Sequence, residues 1–400
     1  MTNVSRRVLL GGAVAAMALT PVAAAHAGTE SDLIALRRDL YRHPEVAGEE
    51  RRTAMIVARR LRAAGLDVRT GVGGHGVVGV LRGAHRGRTV AYRADMDAVP
   101  PDSQQGGGAE PAHLCGHDIH TTVGVGVAEA LARQRHLLAG TVQFVFQPAE
   151  ESLTGAAAML ADGVFARVHP EEIHALHCGP FPVGEFAITT GFGLPGQDRG
   201  TVTVADPATA RQLVAEIAAL GTVSPPGSPQ DLAQLVADLQ IKDGPLARFV
   251  FMNADVPDGG AEIRVSYRCW PADRYTEIRE SIRRLAGPAA TVSFPNAPFP
   301  AMVSPIREGN ALRKHLRTTY RVIDLHAAIP FSGEDFSLFL ERVPGTFTFL
   351  GVRSPGAAVE TSYPHFGAFT PDERAIGHGV RAMTGWLAAR TRPGCATLDG

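Results

Sequence analysis

The chain has 400 residues, 45% of them hydrophobic and 20% charged, an ordinary globular composition with length enough for two domains. Its formal net charge is -1 at pH 7, so no global basic field marks nucleic acid or an anionic membrane surface as a partner. Four cysteines, at 115, 178, 269 and 395, do not make a dense disulfide framework. Cys115 and Cys178 stand near histidines, which suits metal chemistry, although Cys178 also reads as a small core residue.

Residues 1–27 read as a targeting segment. Ser5-Arg6-Arg7-Val8-Leu9-Leu10 is a twin-arginine pattern, followed by an Ala/Gly/Val-rich run and by Ala25-His26-Ala27, an A-x-A cleavage pattern. A membrane anchor is the competing reading, but the uncharged run 8–25 sits at the low edge for a span and is rich in Gly and Ala. The expectation is export by the twin-arginine route, to a secreted, periplasmic or cell-envelope location, with no stable membrane anchor.

A helix is expected at 31–41, where Leu33, Leu36 and Leu40 fall near helical spacing and His43-Pro44 ends the run. A second is expected at 49–64, stopped by Gly65. Strands follow at 76–81 and 88–92, then a helix at 117–134, a strand at 141–146, a helix at 154–162 and a strand at 173–177. Strands alternating with helices imply an α/β sheet covered on both faces.

Near Leu194 the pattern changes. A strand, a helix at 208–220, a Pro/Gly/Ser loop at 222–229, a helix at 230–239, strands at 248–253 and 261–268, a helix at 274–285 and a last strand read as an inserted α+β domain over 196–298. The α/β pattern then resumes with a helix at 310–320, a capping-box-like Ser332-x-x-Asp335 opening a helix at 335–341, a strand at 345–351 and a final helix at 371–390. The α/β fold is thus expected as a catalytic domain split into 28–195 and 299–400 by the insertion.

Five segments could carry chemistry. Cys115-Gly116-His117 places a thiol and an imidazole two residues apart at a helix start, where both can reach one cation. Glu150-Glu151 follows a strand, so one carboxylate can bind metal while its neighbour handles the proton of an attacking water. His177 ends a strand and His365 lies in a loop before the last helix. Asp95 and Asp97 close another strand behind Arg93. Each segment alone also reads as a buried cysteine, a solvated acidic pair, a structural histidine or a strand-end salt bridge. Together they match the residue types of a centre holding two metals about 3.5–4 Å apart. Gly71-x-Gly73-x-x-Gly76 matches a dinucleotide glycine pattern, but it precedes a strand instead of a helix and reads as a turn.

In this order, "RADMDA.P" at 93–100, "CGHD.H" at 115–120, "QPAEE...GA..M..DG" at 147–163, Leu176-His177, "EDFS" at 334–337 and His365 resemble the M20 metallopeptidases, particularly the amidohydrolases acting on auxin conjugates, hippurate and N-acetyl-diaminopimelate. Arg42–Glu45 and Leu350–Val352 also fit, and the likeness covers most of 30–195 and 300–390. The resemblance implies a zinc-peptidase-like domain with a mixed sheet flanked by helices and a lid. It implies two divalent ions, zinc by default with manganese, cobalt or nickel as alternatives, shared by Cys115 and completed by His117, Glu151, His177 and His365. Glu150 would be the general base and later the acid, and Asp95 would orient a ligating histidine. The implied reaction is cleavage of the amide of an N-acyl amino acid or similar small molecule.

The lid departs from the family. The family's "GxGGHAA.PH" stretch, whose first histidine stabilises the oxyanion across a dimer, is absent: 201–205 runs straight into Asp206-Pro207, and all 15 histidines lie outside 178–314. Loss of such a donor costs roughly two to three orders of magnitude in rate where it has been tested. Asn253 and Arg268 are the candidates to supply a polar contact there. The alternatives are a metal-loaded binding protein with impaired catalysis, or hydrolysis of an ester or lactone. The lid helices could also pair two chains into a homodimer.

Overall fold

The computed structural model describes residues 27–394, so the expected targeting segment at 1–27 lies, but for Ala27, outside the described residues. The strands are β1 Asp67–Val72, β2 Gly76–Arg82, β3 His85–Asp95, β4 Ala139–Gln147, β5 Glu172–Pro182, β6 Phe186–Thr189, β7 Gly193–Leu194, β8 Asp198–Thr203, β9 Phe249–Asp255, β10 Glu262–Trp270, β11 Thr291–Ser293, β12 Met302–Val303, β13 Val322–Leu325 and β14 Gly345–Arg353. The helices are α1 Ala27–Tyr41, α2 Arg51–Ala63, α3 His117–Arg133, α4 Gly155–Ala161, α5 Pro207–Ala218, α6 Pro229–Asp238, α7 Tyr275–Ala286, α8 Ile306–Leu316, α9 Phe336–Leu340 and α10 Arg374–Arg390. None of the described helices is long and apolar enough to cross a membrane.

The main sheet has eight strands in the order β1-β2-β4-β3-β5-β14-β6-β13. Its four central strands run parallel, β4 with β3, β3 with β5 and β5 with β14, while β2 and β6 pair antiparallel to them, so the sheet is mixed. The central strands are apolar on both faces because helices cover both. Leu33, Val57, Val123, Leu312 and Leu387, from α1, α2, α3, α8 and α10, build one core. Ala156, Met159, Phe336 and Phe339, from α4 and α9, build the other. A parallel sheet brings the carboxyl ends of its strands to one edge, and β3 and β4 deliver their acidic segments there.

Several local expectations change. β5 does not stop at His177 but continues to Pro182, because Cys178 to Phe181 are buried and keep pairing with β14. β1, β6 and β13 are added strands too short or too polar to announce themselves. The glycine pattern at 71–76 is the β1–β2 hairpin, where Gly71, Gly73 and Gly74 all take positive φ. A Cβ on Gly73 would lie 2.5 Å from the backbone N of Met159, so that position has no room for a side chain.

The inserted unit is a four-stranded antiparallel sheet, β11-β8-β10-β9. The chain enters it from β7 and leaves into β12, and these two strands pair with each other. Alternation along β10 sends Ile263, Val265, Tyr267 and Cys269 into a core with Leu213 and Ile217 of α5 and Ile278 and Ile282 of α7. Asn253, Ser266 and Arg268 stand on the opposite face, and among the described residues none of the three belongs to that core. In place of the missing histidine stretch the chain enters α5 directly, with Asp206 accepting hydrogen bonds from the Ala208 and Thr209 N–H groups, both at 2.9 Å. The helix expected within this insertion at 230–239, α6, joins Phe249 and Trp270 of the lid sheet in the second core. The apolar stripe of α6, Leu232, Leu235 and Val236, joins the catalytic core beside the turn Val359–Thr361, and the Leu239 carbonyl accepts from the His326 N–H at 2.8 Å.

Candidate metal centre

Cys115 and His117 lie on either side of Gly116, whose φ of 87° turns the chain into α3. A Cβ on Gly116 would sit 2.6 Å from the Cys178 sulfur, so the approach of this turn to β5 requires glycine. His177 comes from the middle of β5, Glu150 and Glu151 from the turn after β4, and His365 from the loop before α10. His365 has φ 68°, a strained value for a histidine, and its backbone is tied to the Leu114 carbonyl and the Gln105 N–H, both at 2.8 Å. That double tie carries His365 to the Cys115 segment.

The donor atoms converge. Those of Cys115, His117 and His177 lie within 4.8 Å of one another, as do those of Cys115, Glu151 and His365, so Cys115 belongs to both groups. The Cys115 Sγ is 3.4 Å from His177 Nε2, and Glu151 is 3.4 Å from His365 Nε2 and 3.8 Å from His117 Nε2. All three imidazoles have Nδ1 against an oxygen: His117 against Asp97 at 3.2 Å, His177 against the Cys178 carbonyl at 2.8 Å and His365 against the Ser103 carbonyl at 3.2 Å. A carbonyl can only accept, so each Nδ1 that faces one carries the proton and leaves Nε2 as a lone-pair donor. His117 Nε2 and Glu151 Oε1 are buried with no hydrogen-bond partner in the structure. Buried polar atoms without partners are costly, and two unsatisfied lone-pair donors aimed at one point fit a cation.

The electrostatics agree. Burial, and then the Glu151 and Glu150 charges, push the Cys115 thiol well above its usual value. Burial pulls His117 down, but Asp95 and Asp97 outweigh it and lift the imidazole to about 10. Burial and the neighbouring Glu334, Glu151 and Asp335 raise Glu150 well above the ordinary carboxylate range. A divalent charge bound among these groups would oppose each of these upward shifts.

Asp95, expected to orient a ligating histidine, stands 3.7 Å from His117 Nε2, and it is Asp97 that meets His117 Nδ1. Asp97 Oδ1 receives His117 Nδ1, while its Oδ2 accepts the Glu151 N–H at 2.9 Å. Asp95 instead contacts His120 Nδ1 at 2.6 Å and Arg93 at 2.5 Å. The physical reason is where β3 stops: Asp95 is its last paired residue, and Asp97 lies two residues farther toward the site. His120 is no ligand candidate, because its Nε2 accepts the Cys178 N–H at 2.7 Å. The capping box at 332–335 also fails. Asp335 leaves α9 uncapped and turns to the Ala156 N–H at 2.9 Å and to Gln147 at 2.6 Å. Arg93 joins these groups, reaching Glu334 at 2.9 Å and Gln147 at 2.8 Å.

The two lid candidates part company. Asn253 is exposed on β9, opposite Ser266. Arg268 is drawn inward, its guanidinium 3.5 Å from the Pro195 and Gly196 carbonyls. A Cβ on Gly333 would lie 2.4 Å from Arg268, so that glycine opens the space the guanidinium fills next to Glu334. Burial lowers the Arg268 pKa to about 10, and Glu150 counts among the charges it feels. Phe251 of β9 meets Phe331 edge to face, ring centroids 5.0 Å apart, which ties the lid to the same loop.

A model of peptidase family M20/M25/M40 matches residues 91–390. N-acetylcysteine deacetylase of Bacillus subtilis is 30% identical over 369 residues, 86% of this chain and 93% of the relative. N-acetyldiaminopimelate deacetylase of Enterococcus faecalis is 28% identical over 388 residues, 90% of this chain and 97% of the relative. The crystal structure of a dinuclear metal-binding M20 peptidase of Bacillus subtilis superposes with a TM-score of 0.69 at 26% identity, covering 91% of this chain and 99% of that one. With the mixed sheet, the convergent donors and these matches in hand, the chain belongs to peptidase family M20/M25/M40 and is a hydrolase of C–N bonds.

Proposed function

We propose that this protein cleaves the amide bond of an N-acyl amino acid or a similar small amide, with Glu150 as the proton-transferring group. The observation that carries this reading is the common orientation of His117, His177 and His365, each with Nδ1 tied off and Nε2 left toward Cys115 and Glu151. Cys115, His117 and His177 would hold one divalent ion, and Cys115, Glu151 and His365 a second; zinc suits the thiolate and imidazoles best, with manganese, cobalt or nickel also compatible. Bound there, the ions would supply Lewis-acid activation of the scissile carbonyl and of the attacking water.

The chain's own groups do the rest. Glu150 Oε2 lies 3.8 Å from His117 Nε2, beside the donor cluster without belonging to the Cys115 groups. Its raised affinity for a proton suits a base that takes one from water and returns it to the leaving amine. Arg268 offers a partly desolvated cation above Gly333, fitted to a substrate carboxylate or to a developing oxyanion. The two relatives, named as deacetylases of N-acetylcysteine and N-acetyldiaminopimelate, support a small acylated amino acid as substrate. The sequence of residues 1–27 supports export by the twin-arginine route.

The test is metal analysis of the mature protein, then turnover of N-acyl amino acids, dipeptides and esters after metal reconstitution. Amide turnover abolished by Glu150→Gln is the expected result. Stoichiometric metal with no turnover of any substrate would replace this reading with a binding protein. Ester turnover alone would move it to another acyl bond.

A further inference from the structure

Glu150 is gripped through the backbone on both sides. The Glu151 N–H donates to Asp97 at 2.9 Å, and the Ala149 N–H donates to Glu50 at 2.8 Å. Glu50 comes from 99 residues earlier in the chain, at the N-terminal end of α2, and its side chain is fully buried. The same Oε1 accepts the Gly48 N–H at 2.9 Å, so one oxygen ties the loop before α2 to the turn that carries Glu150.

That turn needs a tie. Ala149 has φ 53°, which costs a residue with a Cβ, and the turn persists only where its surroundings hold it. The other restraints act on its far side: the Ala149 carbonyl accepts from the Thr154 N–H at 3.2 Å, the Gly155 N–H at 3.1 Å and the Ser152 hydroxyl at 3.2 Å. Gly155 packs so closely that a Cβ there would sit 1.6 Å from the Pro148 carbonyl oxygen. Glu50 is the side chain that holds the N–H side of Ala149. Packing does not require a carboxylate at this place. Glu50 Oε2 is buried without a hydrogen-bond partner, a cost an apolar side chain of the same size would avoid. Helix α2 does not need it either, because Glu45 accepts the Arg52 and Thr53 N–H groups, both at 2.8 Å.

We propose that Glu50 is a positioning residue for the reaction, holding Ala149 in its left-handed conformation so that Glu150 faces the donor cluster, while Asp97 holds the Glu151 N–H. This rests on the amidohydrolase reading for its kinetic consequence but not for its structural one.

The experiment compares the metal-reconstituted mature protein with Glu50→Met, which keeps the volume and removes the acceptor, and Glu50→Gln, which keeps an oxygen to accept the Ala149 N–H. Three quantities are read: kcat and KM on an amide the wild type hydrolyses, metal bound per chain, and amide hydrogen exchange of the peptide containing 149–151. Glu50→Met is expected to lose about 10²-fold in kcat with KM moved by no more than about threefold. Its metal content should be unchanged, and exchange at 149–151 should be faster while the rest of the sheet exchanges as before. Glu50→Gln is expected to restore most of both losses. If Glu50→Met does not fold, Glu50→Asp withdraws the oxygen by one methylene and should change kcat and exchange in the same direction. Unchanged exchange at 149–151 in the acceptor-deficient variant, or Glu50→Gln failing as badly as Glu50→Met, overturns the proposal. A wild-type protein without turnover sinks the amidohydrolase reading alone, and the exchange measurement still decides the role of Glu50.

Discussion

The carboxyl edge of the main sheet and the open face of the lid sheet hold the molecule's functional candidates in opposite ways. At the sheet edge His117, Asp95 and Asp97 are fully buried, and each polar atom that turns away from the centre meets a fixed partner. Of the two lid candidates Asn253 stays in solvent and Arg268 is drawn inward, held by two carbonyl contacts at 3.5 Å. Chemistry that depends on angles is built on buried hydrogen bonds, where a donor cannot drift. The lid candidates sit on a surface that gives them few contacts of its own. The contrast predicts that substitutions at the edge act on metal content and kcat, and substitutions on the lid act on KM.

The largest effect tests the edge itself. Removing the metals with a chelator is expected to abolish turnover, and adding back a divalent ion to restore it. Cys115→Ala should prevent that restoration, because Cys115 belongs to both donor groups. Glu150→Gln should keep the metals and lose roughly 10²–10⁴-fold in kcat, the span of a single acid–base group. Full turnover after chelation, or a Glu150→Gln variant as active as wild type, would place the chemistry elsewhere.

How legible this was in the sequence follows the same divide. The α/β alternation and the inserted α+β unit could be read because apolar periodicity repeats over whole elements. Cys115 and His117, and Glu150 and Glu151, could be read because two donors stood within three residues at a strand end or helix start. His365 was legible only through resemblance, since a lone loop histidine carries no local signal; its approach depends on the Leu114 and Gln105 ties. Asp95 and Asp97 have the same strand parity, so nothing local says which reaches His117; that turns on where β3 ends. Asp335 looked like a helix cap because the buried Arg93 and the Ala156 N–H that compete for it are distant in sequence. The stripe of α6 reads the same whichever domain it covers, and Glu50 meets its partner across 99 positions.

The middle-sized effect separates the two aspartates. Asp97→Asn leaves an amide in the seat that receives His117 Nδ1 and the Glu151 N–H, and metal affinity should fall about 10–100-fold. Asp95→Asn breaks its buried pair with Arg93, at 2.5 Å, and should lower stability by about 3–5 kcal/mol. Its effect on metal affinity should be the smaller, since its hydrogen bond goes to His120 while it stands 3.7 Å from His117 Nε2. Metal titration by calorimetry beside thermal melts of the metal-free variants reads both axes. A reversed ranking in metal affinity would return the orienting role to Asp95.

The smallest effects belong to the lid. Arg268→Ala removes a cation within the electrostatic reach of Glu150, and KM for an N-acyl amino acid should rise about tenfold or more if the guanidinium pairs with the substrate carboxylate. An amide lacking that carboxylate should then be hydrolysed equally by both proteins, because its ground state and transition state lose the same absent contact. A fall in kcat for both substrates would instead assign Arg268 to the developing oxyanion, the place left by the missing lid histidine. Asn253→Ala, on the exposed end of the same face, should alter kcat/KM by no more than about twofold, as surface changes away from partners usually do. The pair therefore measures how far along the face the substrate reaches. A loss at Asn253 as large as that at Arg268 would mean that the lid closes farther over its substrate than the present contacts between Phe251 and Phe331 bring it.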